Sequence, residues 1–247
     1  ARQLCQWPVL REFAQEVRDR LLLAEACSRL GEWEDVQILL PAPVVVEESK
    51  RDPLVRLREV EVRVWRKDPV GATAALDGVI LTLLKQWHQL GGVGPSAQES
   101  TLATTQLVLE ANEAVTRVLH LLRVHIEAHA RKQALPAGTE QQRPNMRPIL
   151  ADWRKRLPNR WDGIRTWDAL LTWRHHVFTF VTGILQPAFK ETKKLASVHD
   201  APWTVVRLAH VARKLGLGDL CDATLARLAQ LTTMDRHDLF QKWRERV

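Results

Sequence analysis

The sequence predicts an all-α protein built as an α-solenoid of degenerate helical hairpins, and three observations carry that expectation. Apolar residues recur at helical spacing through nearly the whole chain, and the breaks between runs hold proline or glycine. Leucine, alanine, arginine, glutamate and glutamine dominate, while tyrosine is absent and phenylalanine occurs only five times, so strand-formers are thin. A nine-residue pattern near the start also returns near the end in the same register. With 45% hydrophobic residues, the 247-residue chain has ample material for a sizeable core.

In chain order, helices are expected at 9–17, 20–30, 32–40, 54–66, 69–90, 97–133, 146–156, 163–186, 202–215, 219–231 and 235–246. Asp68-Pro69 marks the clearest start, a capping aspartate followed by a proline whose missing N–H costs nothing in a first turn. Gly31 and Gly216 each follow a leucine that closes an amphipathic run, where a left-handed residue commonly ends a helix. Loops or joints are expected near 41–53, 91–95 and 135–148, and residues 1–247 are read as one helical-repeat segment of a longer protein.

The returning pattern is Leu23-Ala24-Glu25-Ala26-Cys27-Ser28-Arg29-Leu30-Gly31 against Leu208-Ala209-His210-Val211-Ala212-Arg213-Lys214-Leu215-Gly216. Both place a small residue where two antiparallel helices must approach and a glycine where the chain turns, the grammar of tetratricopeptide-like or HEAT-like hairpins. Leu23, Leu30, Leu208, Leu215 and Leu225 are expected to be buried. Ten tryptophans point the same way, as bulky anchors between helices.

Charge and cysteine usage narrow the function classes. The net charge of +7 and a pI near 9.7 invite a nucleic-acid reading, but the basic residues are scattered among acidic ones, as on solvated helix faces. The tryptophans fall at helix positions and do not form a base-stacking platform, so direct nucleic-acid binding is not expected. Three separated cysteines, Cys5, Cys27 and Cys221, form no disulfide framework and read as small buried hydrophobes. No apolar run approaches the roughly 18 residues of a membrane span.

Chemistry-bearing constellations are weak. His125 and His129 lie four apart on one helical face and are the best metal candidates, but Glu127 is not placed as in a zinc peptidase and no third ligand follows. His120 falls off that face, and the adjacent His175 and His176 diverge. The glycines at 91–94 and 216–218 lack the strand and lysine of a phosphate loop. No catalytic residue, cofactor or metal is therefore expected, and the chain is read as a scaffold and not an enzyme.

Asp152-Trp153-Arg154-Lys155-Arg156-Leu157-Pro158, followed by Trp167-Asp168-Ala169-Leu170-Leu171-Thr172-Trp173-Arg174-His175-His176, resembles a signature of the FAT region in co-activator pseudokinases of the phosphatidylinositol-3-kinase-related kinase family. There a W-R-x-R-L-P helix end leads through a short loop into W-x-x-x-x-x-W-R-x-H. Leu4-Cys5-Gln6-Trp7-Pro8-Val9-Leu10 is similar to the family's entry motif, with Trp33 in the next hairpin. Ala212-Arg213-Lys214-Leu215-Gly216-Leu217 resembles its I-A-R-K-x-G-L turn, while residues 41–145 hold no distinctive match.

The resemblance implies a non-catalytic segment of a large nuclear transcription co-activator subunit. Its implied partners are protein subunits of a histone acetyltransferase complex, transcription activators and the pseudokinase domain of the same parent chain. Trp7, Trp33, Trp153, Leu157, Pro158, Trp167, Trp173, Arg174, Gly31 and Gly216 are the expected structural anchors. Two other readings stay open at the level of sequence: the FAT region of an active kinase of that family, and an unrelated tetratricopeptide-type adaptor.

Overall fold

The computed structural model describes residues 1–40, 52–90, 94–130, 146–159, 161–185, 196–230 and 236–246, and every regular element among them is helical. The helices are α1 (Trp7–Glu16), α2 (Arg20–Leu30), α3 (Trp33–Leu39), α4 (Pro53–Trp65), α5 (Pro69–Gln89), α6 (Pro95–Glu113), α7 (Leu119–Ala130), α8 (Arg147–Lys155), α9 (Ile164–Leu185), α10 (Ala196–Lys214), α11 (Gly218–Ala226) and α12 (Arg236–Arg246). A π turn at Ala114–Val118 links α6 to α7, so within the described residues the helix expected at 97–133 is helical through Ala130, with one widened turn. The all-α hairpin architecture is the one the periodicity predicts.

One backbone device closes four of the hairpins. At each, a residue in the left-handed region follows the helix end and the next amide reaches back to a carbonyl five residues earlier. Gly31 (φ 81°) and Gly216 (φ 74°) supply that residue after α2 and α10, with Glu32 donating to the Cys27 carbonyl and Leu217 to the Ala212 carbonyl, both at 2.9 Å. Cys27 and Ala212 are equivalent positions in the repeated nine-residue pattern, so the echo in sequence is an echo in hydrogen bonding. After α1 and α4 the left-handed residue is not glycine but Arg18 (φ 58°) and Lys67 (φ 62°). Asp19 and Asp68 close those turns by donating to the Ala14 and Arg63 carbonyls at 3.1 and 3.0 Å. The same aspartates then cap the next helix: Asp19 accepts from the Leu21 and Leu22 amides at 3.0 Å, and Asp68 from Gly71 at 2.9 Å.

The chain divides into two compact units, residues 7–120 and residues 1–6 with 121–247. In the first, α1 packs on α2, α2 on α3, and α4 on α5, which in turn meets α6. Cys27, Val36 and Val62 form a buried cluster that Leu23, Trp33, Leu39 and Leu40 cover. Trp7 is buried with the Arg29 guanidinium 5.6 Å from its ring centre. In the second unit α9 and α10 form the central pair, and α10 also carries α11 and α12. The seam is narrow where the pattern places small residues, since Ala24, Ala209 and Ala212 are fully buried.

Two expectations are corrected. Leu208 and Leu225 are buried and Leu23 and Leu30 half-buried, but Leu215 is 48% exposed. It follows the buried line Val205, Leu208, Ala209 and Ala212 by one turn, at the end of α10 where Gly216 redirects the chain. Helix α10 also starts at Ala196 and not at 202, carrying Pro202 inside it. Proline is favoured in a first turn because it lacks an N–H, but here the backbone before it is already helical. Among the described residues no helix is long and apolar enough to cross a membrane.

Candidate functional site

The densest arrangement of polar and aromatic groups joins the end of α8 to α9. Along α8, Ile149, Leu150 and Trp153 make one apolar face, and they are buried together with Met146, which precedes the helix. The helix frays at Arg156, whose amide reaches the Asp152 and Trp153 carbonyls, and the buried Pro158 prevents its continuation. The following loop is closed by Asn159, whose amide donates to Asp162 Oδ2 at 2.6 Å while its carbonyl accepts from the Asp162 amide at 3.0 Å.

Helix α9 reads this helix end directly. Arg174 is fully buried, and its guanidinium donates to the Arg156 carbonyl at 2.7 Å while lying 5.8 Å from the centre of the Trp153 ring. Trp153 in turn meets Phe178, with ring centres 5.8 Å apart and planes tilted by 38°. Two turns before Arg174, the Trp167 indole donates to the Asn159 carbonyl at 3.2 Å, and Arg207 of α10 lies 5.7 Å from its ring centre. The W-R-K-R-L-P and W-R-H-H stretches are therefore two halves of one junction. An arginine satisfies a helix's terminal carbonyl while lying over the Trp153 indole, and the Trp167 indole satisfies a carbonyl of the loop that follows.

Trp173 is buried on another side of α9, its indole nitrogen without a hydrogen bond among the described residues. Leu157 is half-buried at the loop, and His175 and His176 are half-buried with ring centres 6.0 Å apart. Sequence reading missed the outer layer. Thr172 donates to the buried Asp168 at 3.3 Å, and burial lowers the pKa of Arg227 against the opposing attraction of Asp168. Arg154 lies 5.2 Å from the ring centre of Trp203. Not every tryptophan anchors a helix: Trp161 and Trp243 are 80% and 64% exposed.

A small pocket lies between α10 and α12, lined by Trp203, Val206, Arg207, His210, Gln241, Arg244 and Glu245. Burial alone would raise the Glu245 carboxyl, but hydrogen bonds from Arg213, Arg244 and His210 outweigh it and hold the pKa at about 2. With the folded-state pKa depressed from 4.5, the stabilisation is complete above pH 4.5 and is lost as pH falls through 2.

The thiols are not poised for chemistry. Cys5, Cys27 and Cys221 are buried and none is in a disulfide, and burial together with a hydrogen bond to Glu32 pushes the Cys27 pKa up to about 12. Glu32 and Asp35 lie close enough to Cys27 to share a cation, yet Glu32 is already paired with Arg11 and a thiol so strongly protonated is a poor ligand. The side chains of His125 and His129 lie outside the described residues.

Residues 22–246 match the model of the FAT domain family. The chain is 26% identical over its whole length to the SAGA complex/NuA4 acetyltransferase complex subunit TRA1 of Saccharomyces cerevisiae, covering 7% of that protein. It is 27% identical over its whole length to the Tra1 subunit of the same complexes in Schizosaccharomyces pombe, again covering 7%. To the transformation/transcription domain-associated protein of Mus musculus it is 24% identical across 66% of the chain and 6% of the relative.

Proposed function

The chain belongs to the FAT domain family, and from that premise we propose that it is a non-catalytic scaffold segment of a large nuclear transcription co-activator subunit, supporting assembly of a histone acetyltransferase complex and recruitment of activators. The observation that carries this reading is the α8–α9 junction. Among the residues most distinctive in the sequence, buried Arg174 holds the Arg156 carbonyl and lies over Trp153, while Trp167 holds the Asn159 carbonyl of the following loop, so that one helix is fixed against the next. A scaffold needs that rigidity, because each hairpin positions its neighbours.

The names of the yeast relatives as SAGA and NuA4 acetyltransferase complex subunits support the choice of partners. On this reading the segment also seats the pseudokinase domain of its parent chain and requires no cofactor. The test is to tag the full-length parent protein, purify it from its own cells and assay co-purifying histone acetyltransferase. Activity retained with the wild-type parent and reduced with Trp153→Ala is expected. A wild-type parent that brings down no acetyltransferase would refute the proposal.

A further inference from the structure

Helices α4 and α5 pack as an antiparallel hairpin, and two arginines of α4 reach glycines of α5 across it. Arg56 is buried, and its Nη1 donates to the Gly78 carbonyl at 3.0 Å. The Thr82 hydroxyl donates to the same oxygen at 2.8 Å. A Cβ on Gly78 would lie 2.9 Å from that Nη1, closer than van der Waals contact allows, so an alanine there displaces the guanidinium. Arg63 pairs with Asp68 at 3.3 Å, and Asp68 accepts from the Gly71 amide at 2.9 Å. A Cβ on Gly71 would overlap both the Asp68 carboxylate and the Arg63 guanidinium.

The two contacts share one geometry. Arg56 and Arg63 are seven residues apart on α4, and Gly71 and Gly78 are seven apart on α5, so each pair returns to one helix face after two turns. In an antiparallel hairpin, equal steps along both helices belong to a single register. A slide that set Arg63 against Gly78 would bring Arg56 to Lys85, a second cation. We propose that Arg56 at Gly78 and Arg63 at Gly71 form a two-rung ladder that fixes the register of the α4–α5 hairpin, each glycine being there to admit a guanidinium. Glycine in a helix interior ordinarily costs stability, because it loses the most backbone freedom on folding. At Gly78 the missing side chain is the room that Arg56 occupies.

Hydrogen exchange followed by mass spectrometry on the full-length parent protein tests this. In an ordinary helix interior, replacing glycine by alanine slows exchange roughly two- to fivefold. Gly78→Ala should instead speed it on the order of tenfold across 79–89, because the displaced Arg56 loses a hydrogen bond that its charge strengthens. In an Arg56→Met background the same substitution should slow exchange roughly two- to fivefold, since nothing then fills the space. Arg56→Lys, with a slimmer head group, is the background to use if Arg56→Met does not fold; the Gly78→Ala effect should shrink there. Gly71→Ala should speed exchange across 71–76, where Asp68 caps the helix. Slower exchange in Gly78→Ala alone would overturn the ladder. So would an undiminished Gly78→Ala effect in the Arg56 variants, which would place the collision elsewhere, or slower exchange in Gly71→Ala.

Discussion

Trp153→Ala is expected to lower the unfolding free energy by about 3–5 kcal/mol, the usual cost of deleting a large buried aromatic side chain. Trp153 is 1% exposed, so the substitution opens a cavity where Phe178 loses its ring partner and Arg174 loses the face it lies over. The surroundings have little freedom to collapse, because Ile149 and Leu150 are held on the same helix face and Pro158 fixes the exit of the chain. For a chain of this length the melting temperature should fall by roughly 6–20 °C. Thermal unfolding followed by circular dichroism measures it. Trp153→Phe, which keeps an aromatic ring in place, should recover much of the loss, and equal losses in both variants would show that aromatic packing is not what matters there.

Arg174→Ala should cost about as much, for a different reason. The guanidinium of a fully buried arginine satisfies the carbonyl of Arg156 at 2.7 Å, just where α8 has run out of its own amides. A hydrogen bond to a charged group contributes about 1.5–3 kcal/mol, the cation over the Trp153 ring adds about 0.5–2 kcal/mol, and the aliphatic stem leaves a cavity. Arg174→Lys should recover only part of this, because an ammonium lacks the planar face that stacks on indole. Since Trp153 and Arg174 touch, the double variant should lose less than the sum of the singles, with a coupling of about 0.5–3 kcal/mol in a double-mutant cycle. Urea denaturation of the four proteins gives that coupling, and strict additivity would mean that the two residues stabilise the fold independently.

Local signals were legible in the sequence and long-range ones were not. Asp68-Pro69, Gly31 and Gly216 announced their turns because capping and left-handed backbone each depend on one residue's own chemistry. The turns at Arg18 and Lys67 were less visible, since their side chains only tolerate the conformation that glycine would favour. At the junction, the family resemblance pointed to Trp153, Trp167 and Arg174 but not to what Arg174 binds. Its acceptor is a backbone carbonyl 18 residues earlier, which carries no side-chain identity. Glu245 looked like one more charge in a solvated helix. Its burial depends on His210 and Arg213, more than 30 residues away on α10. The exposed Trp161 and Trp243 show the same limit, because composition counts indoles without saying which have a neighbouring helix to enter.

The measurement that bears most directly on the scaffold role compares two readouts across Trp153→Ala, Trp153→Phe, Trp173→Ala and Arg174→Ala. One is the thermal stability of each variant; the other is the acetyltransferase that co-purifies with the full-length parent carrying it. If these residues act by fixing helices against one another, co-purification should fall in the same order as stability, with Trp153→Phe near wild type in both. A variant that kept wild-type stability yet selectively lost one partner would contradict this, and would make that side chain a direct contact for the partner it lost.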